Sequence, residues 1–230
     1  MATKDSDVSG LGAGGSGLDP EAVISHIRDG FAATRRPPDA FLVGSNEGCE
    51  PEQEVGPFRG RDWQSLEAEF LDLHYCALSF FSEGALRYFL PAYLLADVRG
   101  MLKTADPAFT LTHGFDESTS TIQVGGKEWT RHFGPAVLLN PKRYGAMTMA
   151  DYARYRLAVF AREEAGAIVT YLRFAAARDE IGISSRAIDA ALRLFWVDRA
   201  QHAPTSAELD AHLRQEDAFN AAILERRGSY

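Results

Sequence analysis

Three histidines set the chemical possibilities of this chain. His74 follows Glu67 and Asp72, and an imidazole beside a carboxylate serves as a general base or a metal ligand. Glu67 and His74 stand about two helical turns apart, so one helix can present both on one side. The plainer reading of His74 is a core or surface histidine beside Tyr75. His113 and His132 flank a hairpin pattern, with Asp116 and Glu117 just after the first of them. Histidine and carboxylate build zinc sites at characteristic spacings. The chain has neither His-Glu-x-x-His nor Cys-x-x-Cys, so no metal and no cofactor are expected. Ser79 and Ser82 lie among phenylalanines without the Gly-x-Ser-x-Gly turn that presents a serine nucleophile. Ser82 reads as a helix cap. Cys76 is two residues from His74, and side chains so spaced on a helix diverge, which leaves a buried structural thiol. Gly10-Leu11-Gly12-Ala13-Gly14-Gly15 matches a phosphate loop in glycine content alone, since no strand precedes it.

The elements that must position these residues are mostly helical. Residues 1–18 hold Gly, Ser, Asp and Ala with little to bury and read as a tail, so a single domain is expected over 19–230. Asp19-Pro20-Glu21 opens a helix with Val23, Ile24, Ile27 and Phe31 on its apolar face. Residues 37–61 form a long connection. Asp62 caps the next helix, where Trp63, Leu66, Phe70 and Leu73 share a face. Ser82 caps a further helix, which Pro91 kinks or restarts. Thr121–Val124 and Lys127–Thr130 around Gly125-Gly126 form a hairpin, because both glycines can take positive φ in a primed turn. Phe109–Thr112 is a candidate third strand. The expected β insertion, about 104–147, should pack on the helices. Helices resume at Thr148, run over 163–177, restart at Ser184 or Ser185, and end with a helix opened by a Thr205–Glu208 capping box. Arg87 and Asp97 sit in a strongly apolar helix, where an unpaired charge is costly. At least one of them should join a salt bridge, with Arg156 or Glu163 as partner. The fold class is therefore mainly α, a helical domain with a small β-hairpin insertion at about 108–130.

Charge and composition narrow the function classes. A net charge of -8 disfavours nonspecific nucleic-acid binding, which neutralises phosphates with Lys and Arg. The apolar runs are too short to span a bilayer, and the N-terminus lacks a secretory signal pattern. Two cysteines, Cys49 and Cys76, suit a reducing cytoplasm.

Two blocks of the chain resemble an uncharacterised bacterial family known as a domain of unknown function. The first is Trp63-x-x-Leu66, then Ala77-Leu78-Ser79-Phe80-Phe81-Ser82 and Arg87-Tyr88-Phe89-Leu90-Pro91-Ala92-Tyr93-Leu94. The second is Arg156-Leu157-Ala158-Val159-Phe160 followed by Ala167-Ile168-Val169-x-Tyr171-Leu172. Before that second block the family has a Thr-Pro-Glu-Gln-like cap, here replaced by Ala161-Arg162-Glu163-Glu164, and 104–147 reads as an insertion outside the family pattern. The resemblance implies a helical fold and no activity.

Three functions compete. The leading one is a non-catalytic protein–protein interaction module with a protein partner, immunity-like in a bacterial conflict system, since acidic charge suits a basic toxin. The alternative is an enzyme or small-ligand binder whose site joins His74, Arg87, Tyr93, His113 and His132 between the central helices and the β insertion. Arg and Tyr would hold an anion there while a His moves protons. The third is an oligomer-forming domain with Phe195, Trp196 and Phe219 in an exposed patch.

Overall fold

A computed structural model describes residues 18–45, 48–140, 145–179, 182 and 184–227. The expected tail up to residue 17, with its glycine run at 10–15, lies outside the described residues. Helix α1 spans Pro20–Phe31, with the Asp19 carboxylate accepting from the Glu21 and Ala22 amides as a first-turn cap should. The connection after it is not structureless. It contains a 3₁₀ turn at Asp39–Phe41, helix α2 at Glu50–Val55, and 3₁₀ turns at Gly56–Phe58 and Trp63–Ser65. Asp62 caps the last of these turns, so the helix expected to start there begins later, as α3, Ala68–Leu73. Leu73 is exposed, because only Trp63 and the half-buried Leu66 and Phe70 of that expected face turn inward.

Helix α4 (Ala77–Phe80) and α5 (Glu83–Val98) follow. Pro91 does not divide α5. Leu86, Phe89, Leu90, Tyr93 and Leu94 are all fully buried, so the helix is enclosed on every side. That enclosure outweighs the loss of one internal hydrogen bond at proline. Ser82 caps it as expected, accepting from the Ala85 amide and donating to the Phe41 carbonyl at 2.6 Å. Phe109–Thr112 is not a strand. It belongs to helix α6, Pro107–Thr112, started by Asp106 and proline, a cap signal that overrides the β preference of Phe and Thr.

Strands β1 (Ser118–Val124) and β2 (Lys127–Phe133) form one antiparallel hairpin in the register Ile122↔Trp129 and Val124↔Lys127. Gly125 and Gly126 have φ of 60° and 75°, the geometry a primed turn requires. The hairpin does not pack on the helices along its length. It stands out as an arm, exposed on both faces apart from half-buried Phe133 at its base.

The second half is helical: α7 (Met149–Leu157), α8 (Arg162–Arg178), α9 (Ser185–Ala191), a π turn at Leu192–Trp196, α10 (Val197–His202) and α11 (Ser206–Arg227). Thr148 caps α7, and the Thr205–Glu208 box caps α11 in both directions. Helix α8 lies against α1, α5 and α10. A Cβ at Gly30 would come within 2.9 Å of both the Ala167 Cβ and the Glu163 carbonyl, so the close approach of α1 to α8 depends on that glycine. No described helix is long and apolar enough to cross a membrane.

A buried polar contact joins the two halves. Glu164 is fully buried and accepts from Arg87 Nε at 2.9 and 2.8 Å, from the Thr34 hydroxyl, and from the Ala161 amide at 2.8 Å. The expected ion pair of Arg87 exists, but its partner is Glu164. Glu163 instead accepts from Ser206, and Arg156 donates to the Leu78 and Ser79 carbonyls. Asp97 pairs with a phenol: Tyr171 donates to it at 2.8 Å. Burial holds the Asp97 carboxyl above the usual carboxylate range, against the lowering effect of that hydrogen bond.

Candidate functional site

Helix geometry disperses most of the residues able to do chemistry. Arg87 and Tyr93 share α5 but lie six residues apart, about 9 Å along the axis and roughly two-thirds of a turn around it. Arg87 faces Glu164, with Asp210 of α11 at 3.7 Å. Tyr93 points the other way and donates to the His74 carbonyl at 2.9 Å. Burial pushes its phenol far above the ordinary value.

The His74 ring lies edge-on between Phe58 and Phe70. Its Nδ1 is 3.9 Å from a Glu54 oxygen, too long for a hydrogen bond. Neither carboxylate expected beside His74 serves it. Glu67 stands at the N-terminus of α3, while Asp72 accepts from the Lys103, Thr104 and Ala105 amides at 2.9 to 3.0 Å. Those three bonds, Ala105 first, hold the Asp72 carboxyl below its ordinary range. Asp72 is thus a strap across the turn after α5.

His113 and His132 do not converge. Successive strand residues point to opposite faces. Phe133 turns toward His113, with ring centroids 6.3 Å apart, so His132 turns away on the other face beside Thr119. Asp116 is engaged with Arg186 at 3.2 Å. The structure therefore brings His74 and Tyr93 together and places Arg87, His113 and His132 in three separate environments. Among the described residues, no group of three or more His, Cys, Asp or Glu is arranged to hold a metal.

A cavity lies among α4, α6 and α7, and of the expected site residues only His113 lines it. It measures about 230 Å³ and is built by Leu78 and Ser79 of α4, Phe109 and His113 of α6 and its end, Leu139, and α7 with Met149 and Tyr152. Arg156 reaches its wall, its guanidinium satisfied by the α4 carbonyls. The His113 ring rests on Phe109, with centroids 4.7 Å apart, and burial lowers its pKa from the ordinary histidine value. Burial thus disfavours the protonated imidazole at this wall.

The arm begins at that wall. Phe133, Arg131, Trp129 and Lys127 share one face of β2, and Ser118, Ser120, Ile122 and Val124 share it on β1. Arg131 stacks on Phe133 at 4.9 Å, and Phe133 meets His113. One continuous strip thus runs from the cavity out along the arm. On it, Ile122, Val124 and Trp129 are 57%, 56% and 60% exposed. The opposite face carries Thr119, Thr121, Gln123, Glu128, Thr130 and His132, with Thr121 bonded to Thr130 and Gln123 to Glu128. The asymmetry of the two faces is legible in the alternation of the sequence, once the strands are known to leave the body.

The site belongs to a helical body carrying one hairpin arm. The chain is a member of a family of unknown function (DUF6714), whose model matches residues 20–200, a span that runs through 104–147. No curated protein and no solved structure matches the chain.

Proposed function

We propose that this chain is a non-catalytic protein–protein interaction module and that the hairpin arm is the part that engages its partner. The observation that carries this reading is the uncovered apolar face of the arm, Ile122, Val124 and Trp129 in register on two strands. An isolated two-stranded hairpin is marginal in water and gains stability from packing against something else. Both outer strand edges are also unpaired within this two-stranded sheet, and open edges are templates for added chains.

The aromatic residues of α5 are not available for partner binding. Tyr88, Phe89 and Tyr93 of α5 are core residues. The oligomer patch does not form as expected either. Trp196 is fully buried and donates to the Leu111 carbonyl, Phe195 stacks on Phe115, and only Phe219 is exposed. An immunity-like role toward a basic toxin would rest on the acidic surface; the arm itself carries cations and calls for a different partner.

The test replaces 118–133 with a short glycine linker and compares native mass spectra of gently purified wild-type and arm-less protein. A stoichiometric protein partner that is lost with the arm supports the reading. A partner retained without the arm, or a wild-type protein carrying a small molecule and no protein, overturns it.

A further inference from the structure

The strip along the arm has a charge opposite to that of the chain. Lys127 and Arg131 share its apolar face, while the whole chain carries -8. Among the described residues, neither cation has a carboxylate in salt-bridge contact. Arg131 is held by a ring, and the one acid of the hairpin strands, Glu128, lies on the opposite face with Gln123. A cation resting on an aromatic ring beside exposed apolar side chains keeps its hydrogen-bonding edge free for a carboxylate. At the base of the strip the cavity of about 230 Å³ opens beside His113, lined by Leu78, Leu139 and Met149. Its volume matches one large side chain rather than a drug-sized molecule, whose pockets begin near 300 Å³.

We infer that the arm face and the cavity at its root form one docking surface for an acidic segment of a partner protein, which seats one large apolar side chain beside His113 and sets carboxylates against Arg131 and Lys127. This rests on the interaction reading above and names the chemistry of the partner. Charge complementarity selects the segment: an acidic chain repels other acidic proteins at long range, and a cationic apolar strip in that field is where an acidic partner can dock. The cavity adds the anchor that a flat hairpin face lacks, since a few buried apolar anchors carry most of the affinity of an interface.

The experiment pans the full chain against a displayed library of random 12-residue peptides. Enriched peptides are expected to combine Asp or Glu with Trp, Phe or Leu. Their binding is followed by fluorescence of Trp129, the exposed tryptophan, with Trp63 and Trp196 buried. Arg131→Glu with Lys127→Glu should weaken these peptides at least tenfold and shift the library toward basic sequences. Ser79→Trp, placed at the exposed rim of the cavity, should weaken them by a similar factor with an unchanged melting temperature. Thr121→Glu, on the opposite face, should leave them unaffected. Enrichment without acidic residues, indifference to charge reversal, or no enrichment overturns the inference. If the arm-less chain has also lost its native partner, the interaction reading stands and only the partner chemistry fails; if it keeps that partner, both fail.

Discussion

Replacing Arg87 with alanine should be among the most damaging single changes in this protein. Arg87 is 3% exposed and its partner Glu164 is fully buried. Glu164 accepts four hydrogen bonds from three elements: two from Arg87 Nε in α5, one from Thr34 after α1, and one from the Ala161 amide at the head of α8. Removing the guanidinium leaves a carboxylate in the core without its ion-pair partner. Breaking a buried pair in this way costs about 3–5 kcal/mol. For a chain of this length each kcal/mol moves the midpoint by about 2–4 °C, so Arg87→Ala should lower it by roughly 6–20 °C. The measurement is thermal unfolding by circular dichroism at neutral pH, checked by the urea midpoint. The double variant Arg87→Met with Glu164→Gln separates charge from packing. Glutamine keeps an acceptor for the Ala161 amide and methionine fills the space, so most of the loss should return, to within about 2 kcal/mol of wild type. An Arg87→Ala protein that melts within about 2 °C of wild type refutes the reasoning, as does a double variant no better than the single.

Four further outcomes follow from the same structure. Deleting the arm should shift the melting temperature by less than about 2 °C, because no described residue between 116 and 148 belongs to the buried core; a large loss would show that the arm supports the fold. Asp97→Asn should leave stability unchanged or raise it at pH 7, since the carboxyl is held high by burial and Asn still accepts from Tyr171, whereas Tyr171→Phe should cost about 1–3 kcal/mol by orphaning that buried acceptor. For His113 the folded pKa lies below the unfolded one, so its contribution is intact above the ordinary histidine value and declines as pH falls through that value toward the folded pKa. The melting temperature of His113→Phe should lose that part of the acid slope, and an identical pH profile would contradict the burial argument. Gly30→Ala should cost about 1–3 kcal/mol in urea unfolding, through contact with Ala167 and the Glu163 carbonyl.

Local chemistry made much of this protein legible in its sequence. The caps at Asp19, Ser82, Thr148 and Thr205 satisfy helix amides within a few residues of themselves, and Gly125-Gly126 dictates a primed turn whatever surrounds it. Those signals act over a single turn of chain, so a linear reading finds them. The family of unknown function is expected from the sequence by resemblance, on the blocks Trp63–Leu94 and Arg156–Leu172, and its model matches residues 20–200. Tertiary structure decided the rest, because the deciding contacts span long separations. Arg87 finds Glu164 and not its neighbour Glu163, since only one of two adjacent residues on α8 can face α5. Asp72 is drawn from His74 to three amides some thirty residues away. Pro91 survives inside α5 because the core encloses it, and the exposure of both strands along their length shows that the hairpin stands clear of the described helices. Alternation in the sequence showed which residues share a face of the arm; that this face runs into a cavity at His113 follows only from where α4, α6 and α7 meet.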